Sequence, residues 1–301
     1  MNNHLGEFAA LLTTVFWTIT ALSFETASRR IGSLNLNLLR LSVATILLAV
    51  FSYFHRGLFF PVDASIHNWF WLILSGIVGF VIGDFLLFQA FIVIGARIAM
   101  LLMTLAPPAA ALASWLILGE NMSLMSLGGM LLTIAGIALV IFVRNPDSSE
   151  KSRTAKLAHP LKGVLLALGA AVGQGVGLVL SKLGMGSYDP FAASQIRVLA
   201  GVAGFAMVFT FFRKWNGLPA VIKDRKAMKW LIVGSIFGPF LGVSFSLMAV
   251  QHTKAGIAQT IMSLVPVLII PPSLLINKEK PKVREIIGAL IAVAGVTVFF
   301  L

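Results

Sequence analysis

Long apolar runs separated by short polar breaks set the pattern of this chain. A membrane-spanning helix needs about 20 apolar residues. Ten runs approach that length, at 5–27, 34–54, 69–94, 96–118, 124–143, 161–183, 191–212, 228–250, 255–276 and 283–301. Barrel strands would alternate apolar and polar residues with a period of two, and these runs do not, so each is predicted as a helix. Trp17, Trp69, Trp71, Trp115, Trp215 and Trp230 fall mostly near run ends, where amphipathic rings sit at the membrane interface.

The pattern is written twice. An offset of 159 positions carries Gly79 onto Gly238, Gly83 onto Gly242, Met103 onto Met262, Pro107 onto Pro266, Glu120 onto Glu279 and Gly136 onto Gly295. Nearer the N-terminus the offset is 157, matching Gly6 to Gly163 and Arg40 to Arg197. Chance matches in apolar sequence would be Leu and Ala, not Pro, Glu and Arg. Each copy holds five runs. Five is odd, so the second copy enters the membrane in the opposite sense, which is the inverted repeat of alternating-access transporters. The fold expected is an all-α integral membrane protein of ten transmembrane helices in two inverted five-helix repeats. Residues 1–145 form the first repeat, 146–160 a polar linker and 161–301 the second. The linker and the basic stretch 213–229 are both read as solvated connections.

Composition agrees. Of 301 residues, 58% are hydrophobic and 11% charged, against about 25% charged in soluble domains. There is no cysteine, which excludes disulfides, thiol nucleophiles and thiolate zinc sites. A net charge of +12 suggests nucleic acid at first sight, but the basic residues lie in loops between apolar runs, so no nucleic-acid partner is expected. Of the 23 Lys and Arg, 18 lie in loops after runs one, three, five, seven and nine. Three (Arg56, Lys182, Lys254) lie on the other side, and Arg40 and Arg197 lie inside runs. The positive-inside rule then places the linker in the cytoplasm and both termini outside. No cleavable signal is expected, because the first run is full length and lacks a basic leader. The expected location is a cell membrane of bacterial plasma-membrane type, crossed many times.

A proline-bearing run ending in Leu118-Gly119-Glu120, then a polar turn, then a glycine-containing run, with the whole repeated after five runs, resembles the drug/metabolite transporter (DMT) superfamily. Within it the chain looks like an EamA-type permease. Arg40 and Arg197, near the start of the second run of each copy, fit that pattern. The second copy departs from it, with Asn277-Lys278-Glu279 in place of Leu-Gly-Glu. The resemblance covers nearly the whole chain. It implies a transporter fold and a small-molecule cargo, with amino acids, purines, nucleotide sugars, aromatic compounds and drugs in the family's range, often exported.

Polar residues inside the runs are the functional leads, because charge in lipid is costly and marks a pathway. Candidate substrate-binding residues are Arg197, Gln174, Gln259, Gln89 and Trp17. Arg40 and Asp84 form a candidate ion pair. Arg40 lies about 10 Å deep and Asp84 about 16 Å deep from the same side at 1.5 Å per residue, so an arginine side chain closes the gap. That pair either fixes packing or couples transport to protons. Pro107, Pro266, Gly238 and Pro239 are candidate kinks or hinges, since proline removes a backbone hydrogen bond and frees a carbonyl. Gly-x3-Gly spacing at Gly169, Gly173 and Gly177 and at Gly234, Gly238 and Gly242 lets helices approach closely, for static packing or for sliding. Glu120 and Glu279 are either solvated caps or gating positions.

Chemistry for an enzyme is missing. The five His are scattered, and there is no nucleophile elbow, phosphate loop or metal-ligand spacing. No catalysis, metal or cofactor is expected. The leading expectation is a secondary transporter that exports amino acids or related amphipathic metabolites by alternating access. Its partners would be the small molecule and the lipid bilayer, with coupling to a proton gradient or exchange. It would act as a monomer or homodimer. A membrane-embedded enzyme and a non-transporting scaffold are the alternatives. The cavity should lie between the copies, lined by runs one to four and six to nine. Arg197 stands out, because the position that would match Asp84 in the second copy is Val243, leaving that arginine with no evident acid.

Overall fold

The computed structural model describes residues 4–118, 124–143, 156–157, 159–253, 258, 261–276 and 282–299. Helix α1 (Leu5–Ile31) meets α2 (Ser33–Arg56) through Gly32 alone. Helix α3 (Ile66–Gly76) opens on a capping box in which Ser65 Oγ accepts from the Asn68 N–H. It runs through a π-helix, Ile77–Asp84, into α4 (Phe85–Leu102), a 3-10 turn (Met103–Leu105) and α5 (Ala106–Leu118). Next come α6 (Leu124–Ile141), α7 (Leu161–Met185), α8 (Pro190–Phe211), the short α9 (Leu218–Ile222) and α10 (Arg225–Ser235). A second π-helix, Ile236–Gly242, leads into α11 (Val243–His252), and helices follow at Val265–Leu268, Ile270–Ile276 and Val283–Phe299.

Among the described residues, six helices are long and apolar enough to cross a membrane, and shorter apolar helices lie at Leu127–Ile141 and Val265–Leu274. One of the six, Ile66–Leu116, has 51 residues. At 1.5 Å per residue that is about 76 Å, more than twice the roughly 30 Å hydrocarbon core. Gly95 breaks it, with φ 80° and ψ 158°, a backbone conformation that glycine adopts without steric cost.

Two predicted connections carry structure. The stretch 213–229 contains a 3-10 turn at Trp215–Gly217 and α9, which has Pro219 in its first turn. The fifth run stops being helical at Ile141, and Phe142 and Val143 pair antiparallel with Leu157 and Lys156.

Glycines set which helices touch. A Cβ built on Gly173 of α7 would lie 3.0 Å from the Gly83 Cα, and one on Gly177 would lie 3.1 Å from the Gly79 Cα. The α7 glycine row therefore interlocks with the first π-helix, backbone against backbone, as small residues permit in lipid. The second-copy glycines that match Gly79 and Gly83 meet α1, with Gly238 against Thr20 and Gly242 against Trp17. Helix α6 packs on Val283–Phe299, where Thr133 Oγ1 donates to Ala292 O at 3.3 Å and Arg284 Nη2 to Val140 O at 3.2 Å.

Polar contacts gather at two ends of the bundle. At one, Arg30 pairs with Asp224 at 2.9 Å and Arg97 with Glu285 at 2.6 Å. Asp224 caps α10, and the Ala227 N–H and Arg30 hold its carboxyl below the usual carboxylate range. At the other end, Arg56 binds Asp63, Tyr188 donates to Asp63 at 2.9 Å, and Gln195 Nε2 donates to Phe59 O at 2.7 Å.

Candidate functional site

Arg40 lies two turns into α2 and is buried. Its Nε and Nη2 donate to Asn37 Oδ1 at 3.0 and 2.9 Å, one turn back on the same helix. Asn37 is held in turn by its own Nδ2, which donates to Ser33 O at 3.0 Å. Arg40 Nη2 also donates to Asp84 Oδ2 at 2.5 Å. Asp84 closes the first π-helix. Its other oxygen, Oδ1, accepts from Gln174 Nε2 of α7, which also reaches Gly79 O at 3.2 Å. The π-helix matters here: its wider turn changes the backbone pairing, and such turns concentrate at functional sites. The Arg40 guanidinium packs against Phe88, Phe24 and Phe80, at 4.8, 5.5 and 5.6 Å to the ring centroids.

Arg197, in α8, is only 4% exposed. Its guanidinium sits 4.9 Å from the Phe80 centroid, beside Gly79, where a Cβ would lie 3.2 Å from Nη2. Its Nε is buried without a hydrogen-bond partner. Neither a hydrogen bond nor an ion pair holds this guanidinium among the described residues. The internal repeat explains the difference from Arg40. The position matching Asn37 is Ser194, whose hydroxyl is also buried and unpartnered. The position matching Asp84 is Val243. One arginine is hydrogen-bonded by an amide clamp and a carboxylate; its counterpart is bonded by neither and meets the Asp84 charge only at longer range.

Both arginines line one cavity of about 170 Å³. A water needs about 15 Å³ by that measure, so the space suits on the order of ten waters or a ligand of similar bulk. Trp17, Phe24, Phe80, Phe88 and Phe91 form its aromatic wall. Arg40, Asp84 and Arg197 are the charged side chains among its described lining residues, leaving an excess of one positive charge. Among the described residues, helix α6 and the Val283–Phe299 helix contribute no lining residue.

Of the candidate residues, Trp17, Gln174, Arg197, Arg40, Asp84, Pro107, Pro266, Gly238 and Pro239 all line this cavity. Gln89 does not: it is half-buried on α4, outside the lining. Gln259, Glu120 and Glu279 lie outside the described residues. Pro107 follows the 3-10 turn that interrupts the helix, and Pro266 follows the turn at residues 263–264. Sequence reasoning missed Phe80, which lies against both guanidiniums, and Asn37, the Arg40 clamp. Asn37 was findable, because residues three apart on a helix share a face. Thr104 and Ser263, at repeat-equivalent helix interruptions, line the cavity too.

Known proteins supply the remaining evidence. The model of the EamA-like transporter family matches residues 4–142 and again 161–301. An uncharacterized inner membrane transporter, YhbE, from Escherichia coli K12 is 29% identical over 143 residues, as are its counterparts in Escherichia coli O157:H7 and Shigella flexneri. Those alignments cover 46% of this chain and 42% of each relative, so the chain spans less than half the length of the relatives it matches. A solved crystal structure aligns over 97% of this chain and 95% of its own length, with a TM-score of 0.68 at 17% identity. At that identity the likeness is one of fold.

Proposed function

The chain belongs to the EamA-like transporter family, and from that premise we propose that it is a ten-span secondary transporter in a cell membrane. Its cargo is a small amphipathic metabolite with an anionic group, bound in the cavity between two inverted five-helix repeats. Residues 1–145 and 161–301 are those repeats, and 146–160 the linker. Support for the ten spans comes from the Gly95 break in the longest apolar run and from π-helices at equivalent places, Ile77–Asp84 and Ile236–Gly242. The inner-membrane label of the YhbE relatives supports a bacterial-type plasma membrane. The family resemblance supports export, with amino acids among the candidate cargoes and a proton gradient or exchange as the driving force.

The observation that carries the binding role is Arg197: a buried guanidinium with an orphaned Nε, facing a cavity. Guanidinium keeps its proton, and a charge removed from water without a partner is costly. A cargo carboxylate supplies the missing acceptor, matched to the planar fork of arginine. Hydrogen bonds to charged groups contribute about 1.5–3 kcal/mol, so Arg197→Gln should weaken cargo binding by about 10- to 100-fold. The protein should remain folded. Transport assays in proteoliposomes with this variant test the role; a folded Arg197→Gln protein with unchanged transport and affinity rules it out.

A further inference from the structure

We infer that the carboxylate of the cargo takes, beside Arg197, the place that the Asp84 carboxylate takes beside Arg40, so that it lies in front of Val243. The inference rests on the reading of Arg197 as the anion site and says where that anion sits.

The contacts of the two repeats carry it. At an offset of 157, Trp17 matches Gln174, Thr20 matches Gly177 and Arg40 matches Arg197; at 159, Gly79 matches Gly238, Gly83 matches Gly242 and Asp84 matches Val243. Along the first π-helix, a Cβ built on Gly177 would lie 3.1 Å from the Gly79 Cα, and one on Gly83 would lie 3.4 Å from the Gln174 backbone nitrogen. Along the second, a Cβ on Gly238 would lie 2.8 Å from Thr20 Cγ2, and one on Gly242 would lie 2.8 Å from Trp17 Cδ1. Both pairs of contacts recur in register. Helix α1 therefore crosses the second π-helix as α7 crosses the first. Val243 follows Gly242 beside Trp17 just as Asp84 follows Gly83 beside Gln174.

The chemistry at the two places differs. In the first copy a carboxylate accepts from Arg40 Nη2 at 2.5 Å and from Gln174 Nε2. In the second copy Val243 and Trp17 stand there, and both line the cavity together with Arg197. Valine ends at its Cγ atoms, one bond short of the oxygens of an aspartate. The place of those oxygens is left to the cavity. Arg197 keeps its charge, and its Nε is buried and unpartnered. A cargo carboxylate at that place supplies the acceptor that the fork of arginine fits, with the indole of Trp17 alongside for the apolar body. The binding site is then the second copy of a clamp whose acid the chain has replaced and the cargo brings.

Val243→Asp tests this directly, because it returns the acid to the chain and sets it in competition with the cargo. Phenylalanine and 3-phenylpropionate serve as probes, titrated at neutral pH against the purified full chain in nanodiscs. Val243→Asp should weaken whichever probe binds by tenfold or more, and Val243→Asn, with the same shape and no charge, should weaken it much less. Stability gives a second reading without any ligand. A buried acid without its partner is costly, so Val243→Asp should lower the thermal unfolding midpoint far more in an Arg197→Gln background than in the wild type. Probe affinity unchanged in Val243→Asp, or a loss of stability that is the same with and without Arg197, overturns the inference. If Arg197→Gln abolishes probe binding and Val243→Asp does not, Arg197 still holds the anion and only the place assigned to it fails. If binding survives Arg197→Gln, or neither probe binds the wild-type chain, both fail.

Discussion

Arg40 and Arg197 are equivalent residues in unequal surroundings, and Arg40 is the one held by hydrogen bonds. Arg40, Asn37, Asp84 and Gln174 form a closed set of buried hydrogen bonds. Removing one partner of such a buried pair costs about 3–5 kcal/mol, whereas replacing both with apolar residues is often close to neutral. Asp84→Ala should therefore lower the thermal unfolding midpoint sharply, and Arg40→Met with Asp84→Leu should recover most of the loss. A double variant as unstable as Asp84→Ala would mean the pair contributes more than charge balance. Much of this site was legible in the sequence, because intramembrane charges are rare enough to stand out: Arg40, Asp84, Gln174 and Arg197 were all visible as such. Phe80 was not, since one of 23 phenylalanines carries no mark of its role until the fold brings two guanidiniums to its ring. Gln89 was misleading, because a glutamine inside an apolar run signals a polar environment without saying which face of the helix it occupies.

At the level of elements, the glycine rows decide which helices can touch. Gly173 and Gly177 leave no room for side chains against Gly83 and Gly79, while Gly128 on α6 has nothing within 4 Å of a built Cβ. Gly173→Val should destabilise the protein by about 1–3 kcal/mol or more through overpacking. Gly128→Ala should be neutral or stabilising by up to about 1 kcal/mol, since alanine is the better helix former. Thermal denaturation of the two variants in the same detergent gives the comparison; equal midpoints would show that the α7 row is not a packing constraint. Among the described residues, six helices of spanning length were readable from run length, and the gap between the third and fourth runs falls at Gly95, whose positive φ favours glycine. The π-helices were not readable. They alter the pairing of the backbone without altering composition, and only Pro239 in the second of them hints at an irregular turn. The short strand pair at Phe142–Val143 was hidden for a similar reason, since apolar residues at the end of a helical run extend it in any reading by hydropathy.

On the scale of the whole molecule, charge and contacts divide the bundle into the same two ends. Arg29, Arg30 and Arg97 follow the first and third runs, and they meet Ile92 O, Asp224 and Glu285, which belong to the connections after the third, seventh and ninth runs or border them. Arg56, one of the three basic residues assigned to the opposite side, meets Asp63 and Tyr188 instead. Among the described residues, Arg29, Arg30 and Arg97 of that basic set therefore find their partners at one end of the bundle. Moving lysine and arginine across a membrane is disfavoured when they cluster beside the spans, so that end should face the cytoplasm. A reporter enzyme active only in the cytoplasm should be active when inserted in the 146–160 linker and silent when fused after Leu301. A reporter active only outside should give the reverse. Activity of the cytoplasmic reporter at the C-terminus alone would invert the orientation, and with it the side from which the cavity is loaded; activity at both places would break the odd number of crossings that a five-span second repeat puts between the linker and the C-terminus.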